Sequence, residues 1–483
     1  MENRPVPYNR AVKLAWFSPW PPQRSGVAGR SAELVPLLAA RGHAIDVFVD
    51  AARVNVEAGA DAPPAAGATR VLSAHDFIWR RRKGHYDLAV YQVGNSHLHK
   101  YIWPYMFRAP GLAVLHDARL HHARADALLS TGRHFDYERE FAWNHPDVPI
   151  AAATFGMMGL DGHFYFQWPM LRTVVETARV VAAHSRGIVR ELQTGWPSLP
   201  IRHIPLGEGV PDLDIAEARA SSRHAHNIPD DALLFGVYGG LTAEKRLYES
   251  LKGLAAIRAF APSARLLLAG EADAWIDLPG RIRETCTGDA VTHVSGLGDA
   301  DFDRAIAAAD VVLNLRWPSA GETSGPWLRS LALGRPTVII DLPHQTHVPA
   351  LDPRTWRRHA PCEDLSADAD QRAVTVAIDI LDLNHSLQLA MRRLATDAAL
   401  RARIGRAARR WWEQEHAVEK MIDGYEAAFV DASSRLDPQP AAEWPSHLVP
   451  DPASAVDRAL GTGLATPGVR SRLAGLMSRR GPA

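Results

Sequence analysis

The feature that most constrains this chain is a recurring pattern of short, largely apolar runs, spaced widely enough for a helix between each pair. In the first half the runs are "VKLAWF" (12–17), "AIDVFV" (44–49), "DLAVYQV" (87–93), "GLAVLHD" (111–117), "RVVAAHS" (179–185) and "IRHIPLG" (201–207). They show little alternation, as strands covered on both faces require. Helical stretches such as "SAELVPLLAARGH", which stops at Gly42, lie between them. Strand–helix alternation of this kind predicts a parallel sheet with helices on both sides. A polar segment, 209–231, interrupts the rhythm, which resumes with "LLFGVYG" (233–239), "RLLLAG" (265–270), "VTHVSG" (291–296), "DVVLNL" (310–315) and "TVIID" (337–341). The fold class is therefore α/β, with two doubly wound Rossmann-like domains over 1–206 and 231–405, joined by a linker over 207–230. Two such domains facing each other would enclose a central cleft with strand ends on both walls. "DADFDRAIAAAD" reads as a short helix before its strand, and 400–429 as a long amphipathic helix or helix pair. Beyond about 433 the chain is rich in Pro, Ala and Ser, so 431–483 is expected to be a loosely ordered tail with one short helix near 453–460.

Length and composition agree with two cores: 483 residues at 47% apolar content are enough to bury both. The 54 basic and 54 acidic residues balance, so no overall field draws the chain to nucleic acid or anionic lipid. Cys286 and Cys362 lie far apart and fit neither a disulfide framework nor a metal site, as in a reducing compartment. "MENRPVPYNR" lacks the apolar stretch of a signal peptide, and no run approaches membrane-spanning length. The expectation is a cytoplasmic protein.

In open α/β sheets ligands bind beyond the carboxyl ends of the strands, so the strand-end loops are where chemistry is sought. The first, "SPWPPQRSGVAGRS" (18–31), places Gly26 and Gly29 around the start of a helix capped near Ser25 or Ser31. Glycines there let backbone amides approach an anion at the positive end of the helix dipole, and a surface turn would use them equally well. In the second, "VLHDARLHH", His116 ends a strand, suited to a sugar hydroxyl or to proton transfer, or to a structural role. Asp117 is expected to cap the next helix. His121 and His122 have no carboxylate at a metal-binding spacing, and no metal is expected.

The third loop, "YGGLTAEKR" (238–246), combines the turn-forming Gly239 and Gly240 with Lys245, a flexible point charge suited to phosphate, and Arg246 as a second donor. A solvated Lys-Arg pair opening a helix is the alternative. The fourth, "RWPSAGETSGPWLRSLALGRP" (316–336), leads from a strand into a helix with Pro326 in its first turn. Thr323, Ser324 and Gly325 form the cap region, where free amides suit a pyrophosphate. Glu322 repels such an anion and calls for a hydroxyl-bearing partner such as a sugar, unless it is merely an exposed residue of a capping turn.

Taken in order, the Gly-containing first loop, the strand-end "LHD", "GGLTAEKR" and "GETSG…LALGRP" resemble the retaining glycosyltransferases of the GT-B fold, close to family 4, over roughly 12–430. The resemblance implies transfer of a sugar from a nucleotide-diphosphate donor to an acceptor hydroxyl, without a metal or other cofactor. It places Lys245 at the diphosphate, His116 near the donor sugar and reacting centre, and Glu322 on sugar hydroxyls. The amides of Thr323, Ser324 and Gly325 would hold the diphosphate or sugar, and Gly26 would let the first loop close over the phosphates. A C-terminal helix crossing back to the first domain is expected near 406–430. The leaving phosphate itself would take the acceptor's proton in a same-face substitution.

Two positions depart from the family pattern. Many relatives carry an arginine where Gly240 stands, so one phosphate donor is missing or supplied elsewhere, with Arg246 as a candidate. The second glutamate, which holds the nucleotide ribose in relatives, falls on Ser330 or Arg329. The Asp-x-Asp pairs at 212–214 and 301–303 read as solvated faces, and no paired carboxylates of hydrolase type stand at strand ends. A nucleotide-sugar epimerase of the same fold, or a non-catalytic sugar-nucleotide-binding relative, are the other readings. The acceptor — a glycan, glycolipid or small natural product — is expected at the first domain, where the aromatics of 96–107 and 130–168 suit stacking or core packing. "WRRRKG" (79–84) suits solvated surface or a peripheral contact with anionic lipid.

Overall fold

Every apolar run read from the sequence becomes a strand. In the computed structural model these strands build two seven-stranded sheets. The structure describes residues 11–56, 63–159, 162–209, 211–358, 369–439, 444–445 and 447–448. Cys362 and the short helix expected near 453–460 fall outside them. The chain divides into two units, 1–182 with 196–202 and 426–483, and 183–195 with 203–425.

The first sheet comprises β1 (Lys13–Phe17), β2 (Ala44–Val49), β3 (Thr69–Ser73), β4 (Leu88–Val93), β5 (Leu112–Leu115), β6 (Val180–Ala183) and β7 (Ile201–His203). Its order is β3-β2-β1-β4-β5-β6-β7, and the registers Leu14↔Ile45 and Leu14↔Leu88 are parallel. Trp16, Phe17 and Phe48 are wholly buried, each large apolar side chain contributing roughly 1.5–3 kcal/mol. β3 has no counterpart among the runs read from the sequence. Only Leu72 of "TRVLS" is buried, as befits an edge strand.

Helix α1 (Gly26–Ala40) follows β1 and is capped by Ser25, whose Oγ accepts the Ala28 amide at 3.0 Å. After β5 the chain makes a helical excursion containing α2 (His121–Leu129) and α3 (His134–Asn144). Tyr137, Phe141 and Tyr165 pack with Leu128 and Met170 into a core of their own. These aromatics are therefore core rather than stacking surface. Phe135 and Met158 remain exposed. In the basic run, Arg80 is buried, while Arg81, Arg82 and Lys83 are exposed as a solvated face, Lys83 lying over the exposed Trp79.

The second sheet comprises β8 (Leu234–Tyr238), β9 (Arg265–Ala269), β10 (Val291–Val294), β11 (Val311–Asn314), β12 (Thr337–Ile340), β13 (Ala350–Leu351) and β14 (Thr375–Ile378). Its order is β10-β9-β8-β11-β12-β14-β13, parallel throughout. The segment expected as a linker over 207–230 instead carries helix α4 (Ile215–Ala225), which belongs to this unit. Asp214 caps α4. Arg223, 1% exposed, donates to the carbonyls of Ala308 and Ala232 and pairs with Asp310 at 2.9 Å. Buried polar groups that find such partners anchor a helix, although its sequence looks polar.

Helices α5 (Leu247–Ile257), α6 (Asp299–Ala308), α7 (Gly325–Ala332) and α8 (Leu383–Thr396) complete the second unit's layers. The stretch read as a long helix or helix pair is a pair, α9 (Ala398–Glu415) and α10 (Val418–Ser433). The division between the units falls within α10. Its last part packs in the first unit, where Phe429 lies edge-on to His43 and Glu426 approaches His43 Nε2 at 3.4 Å. The tail expected to be loosely ordered is anchored at its described residues. Arg179 Nε donates to Asp437 at 2.7 Å, Trp444 packs edge-on to Phe107, and His447 Nε2 meets Glu140 at 2.7 Å.

Candidate active site

The strand order of the second sheet reverses between β8 and β11. The loops leaving the carboxyl ends of two such strands become neighbours, and ligands bind at that switch point. Here the two loops are the third and fourth of the sequence reading. They are joined directly, for the Trp317 amide donates to the Glu244 carbonyl at 2.8 Å.

Gly239 makes the first turn with φ +86°. A Cβ there would lie 3.0 Å from Lys245 Nζ and 3.2 Å from Pro326 Cγ. That geometry places the lysine ammonium beside the first turn of α7. Lys245 is 5% exposed, and its ammonium donates to the Tyr238 carbonyl. Burial and then the nearby Arg316 guanidinium push its pKa down to about 7, with Glu322 opposing.

In the fourth loop Glu322 Oε1 accepts from Arg316 Nη1 at 2.6 Å and Oε2 accepts from Ser319 Oγ at 2.9 Å. Burial works to raise the Glu322 pKa, but Arg316 and the bonds to the carboxylate outweigh it and hold it below the usual range. Glu322 is thus an ionised acceptor with fixed orientation, not an exposed residue of the turn. Ser324 is the N-cap of α7. Its Oγ donates to Asn314 Oδ1 at 3.0 Å and takes the Trp327 amide at 3.4 Å. Thr323 precedes this cap, Gly325 is the first helical residue, and Pro326 sits where its missing N–H costs nothing.

A narrow recess, with room for about one water, lies beside this cap, lined by Asn314, Arg316, Ser319, Glu322, Ser324 and, beyond the end of β12, His344 and Gln345 among others. Arg316 Nε and Gln345 Oε1 are buried there without a hydrogen-bond partner among the described residues. Sequence reasoning missed Arg316, Ser319, Asn314, His344 and Gln345. Arg316 stood in plain view two residues beyond β11, where strand-end position alone could have marked it. His344 and Gln345 follow β12 in "DLPHQ", which carries no motif.

The remaining candidates fall elsewhere. Gly240 meets nothing within 4 Å of an added Cβ, so the turn requires glycine at 239 and not at 240. Arg246 takes a left-handed conformation, φ 54°, and its Nη1 lies 3.6 Å from Glu249. Arg329 turns to carboxylates, with Nε 3.2 Å from Glu208 and Nη1 3.3 Å from Asp303. Asp303, read as solvated, is thereby part of an ion-pair cluster. Ser330 is wholly buried and donates to the Pro326 carbonyl.

In the first unit Gly26 is the first residue of α1 rather than part of the preceding loop, and a Cβ there meets nothing within 4 Å. His116 Nε2 pairs with Gln92 Oε1 at 2.7 Å, and the His116 amide donates to the Val93 carbonyl. Asp117 does not cap the next helix. It accepts the Asn95 amide at 2.6 Å and so fixes the loop after β4. His121 is a core residue, bonded to Trp168 O and Tyr137 Oη, its pKa driven down to about 3 by burial. Among the described residues no group of three or more His, Cys, Asp or Glu is placed to hold a metal ion, and no helix is long and apolar enough to cross a membrane.

No protein-family model matches this sequence. No curated protein matches it either. Solved structures do match in fold. WaaG, a glycosyltransferase involved in lipopolysaccharide biosynthesis, is 15% identical with a TM-score of 0.54, over 86% of this chain and 99% of its own. Sucrose-phosphate synthase from Thermosynechococcus elongatus is 16% identical with a TM-score of 0.56, over 86% of this chain and 98% of its own. Anabaena HepE, solved in complex with UDP and glucose, is 12% identical with a TM-score of 0.56, over 87% of this chain and 99% of its own. Likeness at these identities is likeness of architecture: the two Rossmann-like units of this chain have the GT-B fold.

Proposed function

We propose that this protein is a retaining glycosyltransferase, moving a sugar from a nucleotide-diphosphate sugar to an acceptor hydroxyl. The observation that carries the reading is the convergence of Lys245, the α7 cap and the Arg316–Glu322 pair at the switch point of the second sheet. The occurrence of the same fold in a protein solved with UDP and glucose supports it.

The chemistry asks for such a set. Breaking the anomeric C–O bond sends its electron pair to the diphosphate while positive charge grows on the sugar. Fixed positive groups around the departing oxygens stabilise charge where it develops. Lys245 supplies a buried cationic group, and the cap region leading into α7 supplies amides from Thr323, Ser324 and Gly325. Glu322, locked by Arg316 and Ser319, accepts from sugar hydroxyls. The acceptor oxygen forms the new bond on the face the diphosphate leaves, and its proton passes to a phosphate oxygen. His116, steadied by Gln92, is assigned the contact with the reacting sugar. No metal is required in this scheme. The acceptor class, glycan, glycolipid or small natural product, is left to the assay.

The test is a thermal-shift screen with UDP-, GDP-, ADP- and TDP-sugars, followed by transfer to a panel of hydroxyl acceptors with NMR of the product's anomeric configuration. Stabilisation by one nucleotide class and a product of retained configuration support the proposal. Donor consumption without an acceptor would instead indicate an epimerase. Binding without any turnover would indicate a sugar-nucleotide sensor.

A further inference from the structure

We infer that Gln345 is a positioning residue for Glu322, acting through one buried water that it shares with Arg316. The inference rests on the functional reading above and adds a residue and a solvent site to it. Gln345 ends the short turn Pro343–Gln345 after β12. The backbone of that turn is held on both sides of the side chain. The Gln345 amide donates to the Leu342 carbonyl at 2.8 Å, and the Gln345 carbonyl accepts the Val348 amide at 2.9 Å. Ser185 Oγ donates to the His344 carbonyl at 2.8 Å, and Gly187 packs so closely that a Cβ there would lie 2.5 Å from the His344 backbone. Gln345 therefore has a set place on the wall of the recess beside the α7 cap, together with Arg316, Ser319 and Glu322.

Arg316 Nε is a donor and Gln345 Oε1 an acceptor, and both are buried without a hydrogen-bond partner among the described residues. Leaving either unmet is costly. A recess with room for about one water, walled by one unmet donor and one unmet acceptor, has what a buried water requires. The water accepts from Nε and donates to Oε1. An oxyanion does not suit the place, which is too small for it and presents the amide oxygen of Gln345 and the carboxylate of Glu322. With the water bound, the Arg316 guanidinium is fixed at two points, since its Nη1 already bonds Glu322 Oε1 at 2.6 Å. Two bonds to a planar group set its plane. The plane in turn sets the direction of the bond to Glu322, so Gln345 aims that carboxylate through Arg316.

Two measurements test this. A high-resolution crystal structure of the wild-type protein is expected to show an ordered water within hydrogen-bonding distance of both Arg316 Nε and Gln345 Oε1. Calorimetry then compares a nucleoside diphosphate with its nucleotide-sugar, using whichever of the UDP-, GDP-, ADP- and TDP-sugars binds the wild type. Gln345→Met keeps the length of the side chain and removes the amide oxygen. It is expected to weaken the nucleotide-sugar about 3- to 10-fold relative to the bare diphosphate, the scale of one neutral hydrogen bond. Gln345→Glu keeps an oxygen acceptor at the same reach and is expected to preserve the wild-type ratio. If Gln345→Met does not fold, Gln345→Leu makes the same comparison. A wild type that binds no nucleotide-sugar overturns the transferase reading and this inference together. An empty recess or a direct bond between the two side chains overturns the inference alone. So does a ratio unchanged in Gln345→Met or Gln345→Leu, including equal weakening of both ligands, which is what a merely structural role would give.

Discussion

The backbone amide of Trp317 donates to the carbonyl of Glu244 at 2.8 Å, tying the loop after β11 to the loop after β8. Some seventy residues separate them in sequence, and the strand order brings them together. Lys245, next to Glu244, thereby shares one electrostatic neighbourhood with Arg316 and Glu322. Replacing the ammonium without disturbing the loops isolates its role. Lys245→Met keeps the buried aliphatic stem and removes the charge. We expect donor turnover to fall by about 10²–10³-fold, the scale for losing one fixed donor to developing negative charge. The melting temperature should hold or rise, since a buried ammonium is costly to keep. Near-normal turnover by a folded variant would remove Lys245 from the chemistry.

The same lysine makes binding pH-dependent in a defined direction. Its pKa of about 7 in the folded protein lies below the ordinary 10.5. Between those values the unfolded chain binds more protons, so this group's contribution makes stability rise with pH across that window and leaves it level below it. Free protein at about pH 8.5 would therefore hold Lys245 largely neutral, and a diphosphate would draw a proton onto it. Nucleotide calorimetry in two buffers of different ionisation enthalpy should reveal uptake approaching one proton, and affinity should fall as pH rises above 7. Equal heats in both buffers, or uptake unchanged in Lys245→Met, would sink this account.

Two glycines carry the turn, and they are not the pair the sequence suggests. Gly239 has φ +86°, and a Cβ at Gly270 would lie 2.2 Å from the Gly239 carbonyl oxygen. Backbone cannot yield as a side-chain tip can. Gly239→Ala should cost about 1–2 kcal/mol from its left-handed backbone, and Gly270→Ala should cost more, because φ +154° adds to the clash. Gly240→Ala should be within about 0.5 kcal/mol of wild type, or slightly stabilising. Urea unfolding of the three variants orders them. A destabilised Gly240→Ala would contradict the turn geometry.

Much of this was legible beforehand because doubly wound sheets announce themselves. Buried parallel strands such as "AIDVFV" are apolar at nearly every position, with Asp46 answered by Arg70, so their number and order survive any uncertainty about their ends. Most of what escaped had weaker local signals, although β14, "TVAI", is buried at every position and was passed over all the same. β3, "TRVLS", buries one residue at a sheet edge, and β13 is two residues long. α4 looked like a polar linker because Arg223 is buried by carbonyls that only the folded chain supplies. Motif position singled out Lys245, Glu322 and the α7 cap, which the fold brings into one neighbourhood. It said nothing of which arginine would turn toward them, since direction is decided by tertiary partners. Arg329 illustrates the reverse case, a candidate drawn away by Glu208 and Asp303.

That placement of Arg329 is itself testable. Its partner Glu208 has a side chain only 4% exposed. Removing the guanidinium takes a charged hydrogen-bond partner from a buried carboxylate, a loss of about 1.5–3 kcal/mol. Arg329→Gln should therefore unfold at lower urea while its affinity for the nucleotide stays near wild type. Loss of nucleotide binding with unchanged stability would return Arg329 to the donor site.

The described part of the tail makes a comparable claim on the first unit. Glu140 is wholly buried and paired with Arg124, and His447 adds a bond at 2.7 Å from near the chain's end. Burial would raise the Glu140 pKa, but Arg124 and His447 overcome it and hold it at about 2. A carboxyl depressed from its ordinary 4.5 contributes stability above that value and loses it as pH falls toward 2. His447→Ala removes one of the two partners and leaves Arg124 in place. We expect a loss of about 1.5–3 kcal/mol at neutral pH, the scale of a hydrogen bond to a charged group, and an earlier onset of acid unfolding. Trp444→Ala should lower stability equally at all pH values, because it removes packing against Phe107 and no charge. If His447→Ala instead shifts stability by the same amount at pH 3 and pH 7, the tail is held by packing alone.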